Sequence, residues 1–101
     1  MTIELGGNIE LVGFRELDSS KLIVVKKMVG NYARKMSEDT KNFEKLVVTL
    51  KQIGQPDAHK FELHGKLMDN GRPITSVAVD YNVFFALDKA LSGIMQQMGR
   101  D

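Results

Sequence analysis

Apolar and polar positions in this chain follow two periods, and the switches between them outline a fold. From Asp80 to Met98 the residues Phe84, Leu87, Leu91, Ile94 and Met98 recur at helical spacing, with Ala90 and Met95 widening the stripe, which predicts a helix with one apolar face. Such a face needs a surface to cover it, and the upstream runs supply one. Asn8 to Phe14 alternates, with Ile9 and Leu11 on one side and Glu10 on the other, as a half-buried strand does. Asp18, Ser19 and Ser20 offer side-chain oxygens to a first helical turn, and Leu22, Val25, Val29, Tyr32, Ala33 and Met36 follow at helical spacing, so Ser20 to Met36 is predicted helical. Gly30 inside it costs roughly 1 kcal/mol relative to Ala and is expected at a close contact.

Ser37 to Asn42 is polar and predicted to be a loop. Leu46, Val48 and Leu50 then alternate with Val47, Thr49 and Lys51 in a β-branched run that predicts a strand. Gly54-Gln55-Pro56-Asp57 signals a turn. From Lys60 to Lys66 the apolar set Phe61, Leu63 and Gly65 opposes Lys60, Glu62, His64 and Lys66, so one side of the sheet is expected to face water.

Asp69-Asn70-Gly71 marks a hairpin whose loop length sets the register of the last strand. A two-residue Asn70-Gly71 turn pairs Leu63 with Ala78 and sends Val77 and Val79 to the wet side. A three-residue loop pairs Leu63 with Val77 and Phe61 with Val79. Burial of a valine contributes roughly 1.5 to 3 kcal/mol, which predicts the three-residue loop.

The predicted order is β-α-β-β-β-α, an α+β fold with a four-stranded mixed sheet and two helices packed on one face. The 101 residues make one domain, residues 1–101, large enough for a core without metal or disulfide staples. Zero Cys removes cysteine-based metal and thiol chemistry and fits a reducing compartment. No apolar run reaches the ~20 residues of a membrane span, and the N-terminus lacks the pattern of a signal peptide, so a cytoplasmic location is expected, with no membrane partner.

Fourteen Lys and Arg against thirteen Asp and Glu leave a formal charge of +1, so any polyanion surface has to be local. One segment is not balanced. Between Ser19 and Ser37 stand Lys21, Lys26, Lys27, Arg34 and Lys35 with no acidic residue, and Lys41 and Lys45 follow. Lys27 and Arg34 project opposite the apolar stripe with Asn31 between them, a pattern that suits phosphate contacts, although exposed lysines are also ordinary solubilising residues.

The second helix carries a further pattern. Asn82-Val83-Phe84-Phe85-Ala86-Leu87-Asp88-Lys89-Ala90-Leu91, followed by Gln97-Met98, resembles the ribosome hibernation-promoting factor and ribosome-associated inhibitor family in its polar cap, its aromatic two residues on, its Ala-Ile-Asp-like triplet and its closing Gln. That family has the same β-α-β-β-β-α order. The resemblance implies an RNA-binding protein on the small ribosomal subunit that modulates translation by occupancy, with basic side chains of both helices approaching ribosomal RNA. It brings Lys89 and Arg100 into the expected RNA-binding set, beside Lys21, Lys26, Lys27, Asn31, Arg34 and Lys35.

Other chemistry finds less support. His59 and His64, five apart on a strand, point to opposite sides with no ligand cluster to join them, so no metal is expected. Asp80 and Asp88 read as cap and solvent-side residues, and Asn70-Gly71-Arg72-Pro73 is a turn rather than a phosphate loop. No catalytic constellation, cofactor site or small-molecule substrate is evident, so the chain is expected not to be an enzyme. The alternative to RNA binding is a homodimer or protein-binding module. Ile23 and Val24 lie outside the first helix's apolar arc, and Val47 and Met68 fall on the wet side of the sheet, where a contiguous patch would mark such a surface.

Overall fold

The structure, a computed structural model, describes residues 2–4, 8–54 and 59–98. The elements are β1 (Thr2–Glu4), β2 (Ile9–Val12), α1 (Ser19–Asp39), β3 (Phe43–Ile53), β4 (Lys60–Asp69), β5 (Arg72–Asp80) and α2 (Val83–Met98). From β2 onward this is the expected β-α-β-β-β-α order in an α+β fold with a mixed sheet. The short strand β1 adds a fifth member, antiparallel to β2, and the sheet order is β1-β2-β3-β4-β5. Strands β2 and β3 are parallel because α1 carries the chain back between them, whereas β3, β4 and β5 are joined by turns and run antiparallel.

Alternation decides which side is covered. Leu11, Leu46, Val48, Leu50, Leu63 and Leu67 are buried on one side of the sheet against Val25, Val29 and Met36 of α1 and Leu87, Leu91 and Ile94 of α2 in a single core. The other side carries no helix. Helix α1 extends to Asp39, taking half of the predicted loop, and β4 continues to Asp69. Asp18 is the residue before α1, but its carboxylate accepts from the Ser20 hydroxyl at 2.9 Å rather than from a helical amide. Asn82 does cap α2, its Oδ1 accepting from the amides of Phe84 at 2.9 Å and Phe85 at 3.1 Å. The turn predicted at Gly54-Gln55-Pro56-Asp57 lies, except for Gly54, outside the described residues.

Two expectations are corrected. The hairpin loop has two residues, not three: Asp69 pairs with Arg72, Leu63 with Ala78 and Phe61 with Asp80. Asn70 has φ 52 and Gly71 φ 82, the positive pair of a type I′ turn whose twist matches the strands. Val77 and Val79 therefore face outward, 56% and 42% exposed. The burial argument failed because the space beneath α2 is too shallow for valines. A Cβ on Gly93 of α2 would come within 2.3 Å of Ser76 Oγ, and one on Gly65 within 2.8 Å of Ile94 Cδ1. Beyond Ile74, which is buried, the inward positions of β5 therefore belong to the small residues Ser76 and Ala78. The second correction is Gly30, which is exposed, with nothing within 4 Å of the place a Cβ would occupy.

Candidate nucleic-acid interface

The first turn of α1 contains no acidic residue, and its buried positions Val25, Val29, Ala33 and Met36 leave the opposite side mostly to polar groups. Lys21, Lys26, Lys27, Asn31, Arg34 and Lys35 are all exposed. None of the five cations forms an ion pair among the described residues. Lys35 Nζ lies 5.5 Å from the centroid of the Tyr32 ring, a contact that leaves its charge uncompensated. Ile23 and Val24, 63% and 43% exposed, lie on the outward side of the same helix.

The remaining predicted positions divide. Lys89 Nζ is 2.8 Å from Asp80 Oδ2, so its charge is matched locally instead of extending the surface of α1. That bond, together with the Asn82 amide on Asp80 Oδ1 at 2.9 Å, holds the Asp80 carboxyl below its ordinary value. Lys45, just past α1, is likewise matched by Glu10 at 2.7 Å. Arg100 lies outside the described residues. Asp88 is not a simple solvent-side residue: its Oδ1 accepts from the Tyr32 hydroxyl at 2.6 Å and links the two helices.

Two features escaped sequence reasoning. Tyr81 and Phe85 are exposed aromatics beside the start of α2; Phe85 could have been found, since it falls outside the stripe set by Leu87, Leu91 and Ile94. A groove of about 340 Å3 lies between the end of α1 and the β4-β5 turn, where Asp39 and Asp69 face Lys41 and Arg72. Its mixed charge favours no one sign of ligand. Among the described residues no three His, Cys, Asp or Glu gather as a metal site, and no helix is long and apolar enough to cross a membrane. His64 Nε2 lies 3.0 Å from Glu62 Oε2 on the open side of the sheet, outside hydrogen-bond geometry.

The arrangement can hold a polyanion by charge. No protein-family model matches the sequence, and no curated protein does.

Proposed function

We propose that this protein binds structured RNA without catalysing a reaction, and that its target is ribosomal RNA of the small subunit, where occupancy modulates translation. The observation that carries the reading is the row Lys21, Lys26, Lys27, Arg34 and Lys35 on α1, cations without ion pairs among the described residues, in a chain whose formal charge is only +1. An unpaired row of one sign stores electrostatic free energy that phosphates relieve while displacing their counterions. Residues matching the hibernation-promoting factor pattern on α2 give the choice of RNA, and the Asn82 cap within that pattern is formed.

Sedimentation with small ribosomal subunits tests it. Co-migration is expected at low salt and loss at high salt, and replacing both Lys27 and Arg34 by Glu is expected to remove binding while the thermal midpoint stays unchanged. Absence of co-migration at low salt overturns the reading.

A second reading, self-association through the open side of the sheet, is favoured by the outward β-branched residues: Val77, Val79 and Ile53 are 56%, 42% and 39% exposed there. A monomer mass independent of concentration would remove it.

A further inference from the structure

Of five Phe and two Tyr, Tyr81 and Phe85 alone stand clear of the core, 65% and 60% exposed. Both line one open groove of about 310 Å3, whose other walls include Lys21 from α1 and Phe61 from β4. The sheet side of α2 is taken by Val83, Ala86, Leu87 and Ala90, so helical geometry turns Phe85 outward. Tyr81 occupies the link between β5 and α2, with Lys60 Nζ 5.3 Å from its ring centroid.

The charges around these rings favour an anion. Among the charged groups that line the groove or lie over its rings, Lys21 and Lys60 stand against Asp80, a local balance of two minus one, or +1, and Asp80 is already engaged by Lys89. The amides of Phe84 and Phe85 are occupied by Asn82, so the helix terminus is not an anion pocket and the attraction belongs to the lysines. Flat apolar faces bordered by cations suit a ligand with flat apolar faces on a charged backbone. A nucleic-acid strand has that form, and it can stack only where its bases are unpaired. An apolar peptide would use the rings and leave the lysines unexplained.

We propose that Tyr81 and Phe85 form a stacking platform for unpaired bases of the RNA that α1 holds by its phosphates. This rests on the RNA-binding reading above, and Lys21 is the bridge, since it belongs both to the row on α1 and to the groove wall. The open groove gives stacking without a closed pocket for one base, so binding there is tolerant of sequence.

Fluorescence anisotropy with a labelled short oligoadenylate and with a blunt RNA duplex tests the platform. Tyr81→Ala and Phe85→Ala are each expected to weaken oligoadenylate binding by about 5- to 150-fold, with duplex binding and thermal midpoint unchanged. Tyr81→Phe and Phe85→Tyr, which keep a ring, are expected to bind as wild type. In a Tyr32→Phe background Tyr81 is the sole tyrosine, and its emission should be quenched by oligoadenylate. Wild-type oligoadenylate affinity in both alanine variants overturns the platform and leaves the α1 reading standing if Lys27→Glu with Arg34→Glu still abolishes binding. Failure of the wild type to bind either RNA overturns both.

Discussion

The Tyr32 hydroxyl donates a 2.6 Å hydrogen bond to Asp88 Oδ1, joining the middle of α1 to α2 across 56 residues of sequence. Burial first, and then the bond and charge of Asp88, push the Tyr32 phenol up to about 12 from its ordinary 10.0. Because the folded state raises this value, the associated stability is complete below pH 10 and is lost as pH rises through about 12. Tyr32→Phe is expected to cost about 1 kcal/mol at neutral pH and to flatten the alkaline limb of the stability profile. In a Tyr81→Phe background, absorbance titration should find the remaining phenol ionising near 12; ionisation near 10 would show that the phenol is neither buried nor bonded to Asp88.

Gly30 and Gly93 make a controlled pair within helices. Alanine relieves the backbone entropy cost of glycine by about 1 kcal/mol where space is open. Gly30→Ala meets nothing within 4 Å, so its thermal midpoint should rise by about 4 to 8 °C. Gly93→Ala sets a Cβ 2.3 Å from Ser76 Oγ, so no rise is expected there. Adding Ser76→Ala removes the hydroxyl but leaves a Cβ 3.3 Å away, so it should restore part of the gain as a coupling between the two positions. Equal rises at both glycines in the Ser76 protein would contradict the close approach of α2.

The strand register predicts opposite costs at adjacent residues. Ala78 packs against the core beneath α2, whereas Val79 is 42% exposed. Denaturant unfolding should place Val79→Lys within about 0.5 kcal/mol of wild type and Ala78→Lys more than about 2 kcal/mol below it. The reverse order would support the three-residue loop.

Matched and unmatched cations should differ in the salt dependence of RNA binding. Lys27 has no acidic partner among the described residues, so Lys27→Gln should flatten the log-log slope by about 0.7 per lost contact to a single strand. Asp80→Asn keeps an acceptor for the Asn82 amide but releases Lys89. Affinity is expected to rise and the slope to steepen by a similar ~0.7. Unchanged binding after Asp80→Asn would place Lys89 away from the RNA.

Periodicity along the chain was enough to determine the order of strands and helices from β2 onward, the inward set Leu46, Val48, Leu50 and Leu63, and a run of cations with no acidic neighbour between Ser19 and Ser37, but not the short strand β1. Each depends on neighbours a few residues away, and spacing of that kind is visible in one dimension. The register of β5, the unexpected openness around Gly30, the bond between Tyr32 and Asp88, the pairing of Lys89 with Asp80, and the meeting of Tyr81, Phe85 and Lys21 in one groove were decided only by tertiary structure. They turn on how closely α2 approaches the sheet and α1. That distance is set by side-chain volumes from segments far apart in the chain, Gly65, Ser76 and Gly93 among them, and no local pattern records their sum.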